Sequence, residues 1–300
     1  MGSWKLFRKA KQPLAEQKGG LALAAHGAES EPIGLIAGNG SFPFRFVERA
    51  HALGHSVIAV GHLGETLPEL EQHVDVMTWI KVGELGKLID TFQAGGVRKV
   101  AMAGGINRIK HFGSIKLDVR GAALLLRLRS TKDDVIMRGI AAELMKEGIE
   151  VIDCTIYLKE CLAREGVLTR AHPTEEELSD IQVGIEAIKA MGSQDIGQLV
   201  VIREGVIVAV EAVEGTNAAI LRGGELGGKG TVVVKFAKPT QDMRFDVPTI
   251  GPATVETLVQ AKARVLAVEA GRTLIMDQAD VLRLADKNGI AVVGCPPLVR

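Results

Sequence analysis

From residue 31 onward, short apolar runs alternate with longer stretches whose apolar positions recur at helical spacing. Residues 33–37 form a run short enough for a buried strand, and Gly38-Asn-Gly40 turns the chain into a predicted helix over 42–53. A second strand is expected at 56–60, a helix at 86–94, and a third strand at 99–103 followed by the turn Gly104-Gly105. Residues 124–146 read as helices interrupted near Ser130-Thr131, and 149–154 as a further strand. Strands alternating with helices predict right-handed βαβ units around a mainly parallel sheet, an α/β Rossmann-like unit.

The pattern loosens over 157–174, where Gly166 and Pro173 break it into a connection. Thr174-Glu-Glu-Glu177 then reads as a capping box opening a helix to about Met191. Runs at 199–202 and 206–211 flank Arg203-Glu-Gly205, a hairpin signature. A helix from Thr216, a strand at 231–234, a helix from Ala253, strands near Leu266 and Leu274, a helix from Gln278 and a strand at 290–293 complete a second α/β unit with a mixed sheet. The expected organisation is a basic tail at 1–30, a Rossmann-like domain at 31–165 and a C-terminal α/β domain at 166–300.

Composition narrows the partners. Among 300 residues, 36 Lys and Arg balance 36 Asp and Glu, so no global field favours nucleic acid, and none is expected as a partner. Cys154, Cys161 and Cys295 lack C-x-x-C spacing and suit a reducing cytoplasm rather than a disulfide framework or zinc site. No apolar run is long enough to span a bilayer. Trp4, Leu6 and Phe7 interleave with Lys5, Arg8, Lys9 and Lys11, which reads either as a flexible tail or as an anchor on an anionic membrane surface.

The chemistry-bearing residues are carboxylates, lysines and glycine turns. The turns at 38–40 and 104–105 follow strands and would offer backbone N–H groups to an anion, although G-x-G-x-x-G is absent and no acidic residue ends the strand running to His62. Lys132-Asp-Asp134 at a helix start can cap the helix or bind Mg²⁺. Glu211-Ala-Val-Glu-Gly-Thr-Asn217 ends a strand in a turn with donors for a phosphate. The segment 235–251 is densest: Lys235, Lys238, Asp242, Arg244 and Asp246 lie in a loop stiffened by Pro239 and Pro248. Cations there can clamp phosphate oxygens, and a carboxylate can hold a divalent metal or orient a water. No G-x-S-x-G or H-E-x-x-H is present, so metal-assisted attack of water on a phosphate fits better than a nucleophilic triad.

Ile33-Gly-Leu-Ile-Ala-Gly-Asn-Gly40, Ala103-Gly-Gly-Ile-Asn-Arg108, Lys132-Asp-Asp134, Asp195-Ile-Gly-Gln198, Glu211-Ala-Val-Glu-Gly-Thr-Asn217 and Asp246-Val-Pro-Thr-Ile-Gly251 occur in that order. Together they resemble the LpxI family over residues 33–294. The resemblance implies a Mg²⁺-dependent hydrolase that cuts the pyrophosphate of UDP-2,3-diacylglucosamine to UMP and lipid X in lipid A biosynthesis. It implies an N-terminal Rossmann-like domain, a C-terminal domain, and lipid bound between them. Cytoplasmic localisation is expected from the cysteines and contact with the inner membrane from the basic tail, and a homodimer is a further expectation. The family residue needed for activity falls on Asp246.

On this reading Asp133, Asp134 and Asp246 supply the metal ligands, with Asp246, Asp134 and Lys235 catalytic. Lys238 and Arg244 neutralise phosphate charge with Lys235, while Gly38, Asn39, Gly40, Gly105 and Asn107 line the anion and sugar region. Gln198, Glu214, Gly215, Thr216, Asn217 and Thr249 complete the substrate contacts. Where the family pattern has Gly-Thr-Asp, this chain has Asn217, whose amide cannot act as a base; the burden shifts to Asp246, Asp133, Asp134 and Glu214. The rival readings are a nucleotide-dependent sugar-modifying enzyme or oxidoreductase using the Rossmann-like half, and a non-catalytic nucleotide-sugar or lipid-binding protein.

Overall fold

The computed structural model describes residues 30–106, 116–129, 132–192, 194, 196–239 and 241–298. The first half runs β1 (Ser30–Ala37), α1 (Phe42–Ala52), β2 (His55–His62), β3 (Val76–Ile80), α2 (Leu85–Ala94), β4 (Lys99–Ala103), α3 (Val119–Leu128), α4 (Asp133–Lys146) and β5 (Glu150–Ile152). Its sheet has the order β3-β2-β1-β4-β5, and every ladder is parallel. Strand alternation divides the core. Ile33, Leu35 and Ala37 pack with Phe42, Phe46, Val47 and Ala50 of α1 on one face. Val60, Val100 and Met102 pack on the other with Leu88, Ile89 and Phe92 of α2 and Leu144 of α4. Coverage of both faces explains why these strands read as continuous apolar runs.

The second half contains β6 (Gly166–Val167), α5 (Glu175–Gly192), β7 (Leu199–Arg203), β8 (Val206–Val210), α6 (Thr216–Gly227), β9 (Val232–Lys235), β10 (Thr249–Ile250), α7 (Pro252–Gln260), β11 (Val265–Glu269), β12 (Leu274–Ile275), α8 (Gln278–Lys287) and β13 (Ala291–Cys295). Its main sheet, β6-β13-β11-β9-β7-β8, is parallel between β9, β11 and β13 and antiparallel at both margins. Strands β10 and β12 form a separate parallel pair. The mixed α/β class and the mixed second sheet expected from the pattern are observed.

Several local expectations hold atom by atom. Thr174 N donates to Glu177 Oε2 at 2.8 Å and Glu177 N donates to Thr174 Oγ1 at 3.2 Å, the two arms of the capping box. At the β7–β8 turn, Glu204 and Gly205 both have positive φ, 49° and 78°, and the Asp180 carboxylate accepts from both of their N–H groups. Other elements differ. Strand β3 went unread because its sequence Val-Met-Thr-Trp-Ile is only partly buried at the sheet margin and carries no all-apolar run. The strand expected at 149–154 ends at Ile152, where the Asp153 carboxylate accepts from Thr155 N and starts a 3₁₀ turn. The connection over 157–174 includes β6, whose pairing with β13 is a long-range contact. The tail at residues 1–29 lies outside the described residues.

The halves are packed together. Leu274 and Met276 share a buried cluster with Phe42, Phe46 and Leu158, and Arg45 pairs with Asp277. Phe245, from the loop after β9, packs against the cluster containing Val60, Val100 and Met102. That loop therefore lies against the parallel sheet of the first half. Among the described residues no helix is long and apolar enough to cross a membrane.

Candidate functional site

The glycine turns meet at the carboxyl ends of the neighbouring strands β1 and β4. Gly38 N donates to Ala103 O and Asn39 N to Gly105 O, each at 2.8 Å. The approach leaves no room for side chains: a Cβ on Gly38 would sit 2.4 Å from Gly105 O, and one on Gly104, held at φ +84°, 2.3 Å from Asn39 O. Asn39 Nδ2 donates to Glu65 Oε2 at 3.3 Å, and Glu65 is buried. An acidic group thus does stand beside the first turn, three residues beyond β2, where the strand-end pattern gave no sign of it. The turns bring Gly38, Asn39, Gly40 and Gly105 together; Asn107 lies outside the described residues.

Strand β9 places Lys235 at its last position, inside the sheet rather than in the loop that follows. Its ammonium donates to Thr216 Oγ1 at 2.9 Å and to the Thr249 carbonyl at 3.1 Å. Thr216 Oγ1 donates in turn to Glu211 Oε1 at 2.8 Å, and Glu211 Oε2 accepts from Gln198 N at 3.3 Å. Burial pushes the Lys235 ammonium below the ordinary lysine value, while the charges of Glu211 and Asp246 oppose that shift. Thr216 is thus more than the first residue of a helix. The N-cap is Gly215, at φ +82°, which frees the threonine hydroxyl for Lys235 and Glu211.

The loop after β9 is organised by Gln241. Its Nε2 donates to the backbone oxygen of Asp246, to Asp246 Oδ2 at 2.6 Å and to Gln198 Oε1 at 3.3 Å, while its Oε1 accepts from Lys238 N at 2.7 Å. Asp246 itself is 55% exposed, with Lys238 Nζ 4.0 Å from Oδ2. Arg244 grips Asp242 through Nε at 3.0 Å and Nη2 at 2.8 Å, and lies 4.8 Å from the Phe245 ring. Arg244, through its side chain and backbone N–H, and then the charge of Arg138 hold the Asp242 carboxyl below its usual range against the effect of burial. Arg138 on α4 reaches Asp242 at 3.2 Å and grips Asp134, one helical turn back, at 2.9 Å.

Two chains of contacts therefore converge on the loop. One links Lys235, Thr216, Glu211, Gln198, Gln241 and Asp246; the other runs from Asp134 through Arg138 to Asp242. Glu214 is engaged elsewhere, pairing with Arg222 at 2.5 Å and accepting from Ala212 N. Asn217 is exposed on the first turn of α6. Pattern reading missed Glu211 as a site residue, together with Gln241, Glu65 and Arg138. Only the four-residue spacing of Asp134 and Arg138 on one helix could have signalled a pair.

Among the described residues no three His, Cys, Asp or Glu side chains converge as a metal cage. Mg²⁺ commonly needs less, taking one or two carboxylates with waters and substrate phosphates. The exposed carboxylate of Asp246 fits that donor set, and Asp134 fits it once Arg138 is exchanged. The side chain of Asp133 lies outside the described residues.

Both halves of the chain have counterparts among known proteins. The model of the LpxI N-terminal domain matches residues 32–161, and that of the LpxI C-terminal domain matches 164–293. UDP-2,3-diacylglucosamine pyrophosphatase LpxI of Caulobacter vibrioides is 32% identical over 279 residues, covering 89% of this chain and 99% of that protein. Among solved structures, the biotin carboxylase domain of a thermophilic 2-oxoglutarate carboxylase is 12% identical, with a TM-score of 0.26 over 57% of this chain and 34% of that one. The biotin carboxylase subunit of pyruvate carboxylase is similarly distant, 11% identical with a TM-score of 0.25 over 62% of this chain and 39% of that one. The two LpxI domain models match in order along the sequence, and the chain belongs to the LpxI family.

Proposed function

We propose that this chain hydrolyses the pyrophosphate bond of UDP-2,3-diacylglucosamine, giving UMP and 2,3-diacylglucosamine 1-phosphate (lipid X), in lipid A biosynthesis. The observation that carries the reading is the buried Lys235 ammonium, joined through Thr216, Glu211, Gln198 and Gln241 to the exposed carboxylate of Asp246. A cation and a carboxylate held by one network suit a reaction in which water attacks phosphorus and the bridging oxygen leaves with the other phosphate.

Lys235 has three N–H donors and, among the described residues, two protein acceptors, which leaves one donor for a phosphate oxygen. Lys238, beside Asp246, adds a second cation to the same side. Such preorganised charge stabilises negative charge developing on the phosphates, and in catalysis of this kind no other effect usually contributes more. Asp246 orients the attacking water and accepts its proton. Bound Mg²⁺ would supply further charge neutralisation of the pyrophosphate, with Asp246 and Asp134 as the carboxylates that would hold it. The N–H groups of Gly38 and Asn39 bind the turns to each other, and the Gly40 N–H and the second proton of the Asn39 amide face the rest of the substrate. Arg244 holds Asp242 and shapes the loop.

The strand order β3-β2-β1-β4-β5 supports a Rossmann-like unit over 31–165, because chain direction across the sheet reverses between β1 and β4, where ligands of such sheets bind. Residues 166–300 then form the domain that brings the catalytic loop. The test is product identification by mass spectrometry after incubating purified protein and UDP-2,3-diacylglucosamine, with Mg²⁺ and with EDTA. UMP and lipid X in equal amounts, suppressed by EDTA, are the expected result. Intact substrate under both conditions contradicts the proposal.

A further inference from the structure

Glu211 is a buried carboxylate, 7% exposed, at the end of a strand whose outer positions are open to solvent. Burying a carboxylate is costly unless it is hydrogen-bonded and paired. Its two oxygens have separate duties: Oε1 accepts from Thr216 Oγ1 at 2.8 Å and Oε2 from Gln198 N at 3.3 Å. The second contact depends on close approach of the chain, since a Cβ on Gly197 would lie 2.1 Å from Glu211 O. We infer that Glu211 is a positioning residue: through the Thr216 hydroxyl it fixes the place of the Lys235 ammonium and keeps it charged. The inference rests on the reading of Lys235 as the group that neutralises phosphate charge.

The direction of the relay follows from the donors and acceptors available. An ammonium only donates and a carboxylate only accepts, whereas a threonine hydroxyl has one proton and two lone pairs. Thr216 therefore spends its proton on Glu211 and turns its lone pairs to Lys235. The hydroxyl carries the influence of the carboxylate to the ammonium without direct contact, which leaves the ammonium's remaining donor open. Among the described residues the charged groups acting on Lys235 come from two elements, Glu211 after β8 and Asp246 in the loop, and both favour the charged form against burial. The amino end of α6, where Thr216 sits, presents the positive end of a helix dipole and disfavours it. Of the two carboxylates, Asp246 is 55% exposed and screened by water, so Glu211 is the dominant support. Its second oxygen also holds Gln198, the residue that meets Gln241 beside Asp246, so one carboxylate sets both ends of the catalytic pair.

The experiment compares the wild-type chain with Glu211→Gln, Thr216→Val and Thr216→Ser. The Lys235 titration is followed by NMR of ¹³C-labelled lysine, assigned with Lys235→Met, and kcat and KM are measured across pH. In Glu211→Gln and Thr216→Val, the Lys235 titration is expected to move down by about one pH unit, as for loss of a nearby opposite charge or its relay. The alkaline limb of kcat should move with it, and kcat at neutral pH should fall roughly tenfold with little change in KM. Thr216→Ser, which keeps the hydroxyl, should recover most of what Thr216→Val loses. A Lys235 titration unmoved in the folded variants overturns the inference, whatever the activities. Should Glu211→Gln fail to fold, the two Thr216 variants decide between the same outcomes. Because the titration is read without substrate, failure of the positioning role is distinguishable from failure of the proposed hydrolysis.

Discussion

Replacing Gln241 with alanine removes the side chain that holds the loop after β9. Gln241 is buried, and its amide makes four hydrogen bonds, two of them to Asp246. The bond to the Asp246 carboxylate at 2.6 Å is charge-assisted, a class that contributes about 1.5–3 kcal/mol. Truncation also strands the Lys238 N–H, at a cost of about 1–3 kcal/mol when such a group stays buried. The second cost falls on stability, and an exposed Lys238 amide would recover part of it from water. The first falls on catalysis if Asp246 reacts from the position that Gln241 gives it. At about 1.4 kcal/mol per decade, a loss of 1.5–3 kcal/mol lowers kcat by roughly 10- to 150-fold. The assay is release of UMP from UDP-2,3-diacylglucosamine under saturating substrate, beside a thermal melt. A folded Gln241→Ala variant with kcat within about threefold of wild type would refute the claim that this amide positions Asp246.

Neighbouring contacts lead to two further outcomes. Asp242→Asn removes the carboxylate shared by Arg244 and Arg138. Because its folded-state pKa is depressed, its contribution is present above the unfolded value near 4 and is lost as pH falls through the folded value; melts should show a deficit at pH 7 that disappears in acid. Gly38→Ala places a Cβ about where Gly105 O now lies, 2.4 Å away. It should raise KM at least tenfold by parting the two turns, an estimate on the order of a lost 1.4 kcal/mol of binding, and steady-state kinetics at several substrate concentrations would detect it.

The first sheet was largely legible because its strands are buried on both faces and write themselves as apolar runs, as at 33–37 and 99–103. The capping box at Thr174 and the hairpin turn at Glu204-Gly205 were legible because both are local chemistry. Strand β3, half-exposed at a margin, had no such signature. The site divides in the same way. Asp246 and Lys235 stand out by type and spacing, yet the charge pattern groups Lys235 with a loop whereas it is a buried strand residue. Its environment depends on Glu211 and Thr216, from a strand end and a helix start that only the folded sheet brings to β9. Gln241 carried no charge and no motif, and its role appears only when Gln198, 43 residues away, is beside it. Glu65 was likewise hidden, because Asn39 reaches it across 26 residues.

Everything proposed for the site depends on Asp246, held on this network, acting on the pyrophosphate. The initial rate of lipid X formation by Asp246→Asn tests that dependence with an uncharged isostere that keeps the backbone contacts of the loop. A folded protein is expected whose rate falls on the order of 10²–10⁴-fold, the range for loss of a positioned acid–base group. A folded Asp246→Asn variant forming lipid X at the wild-type rate would contradict the assignment.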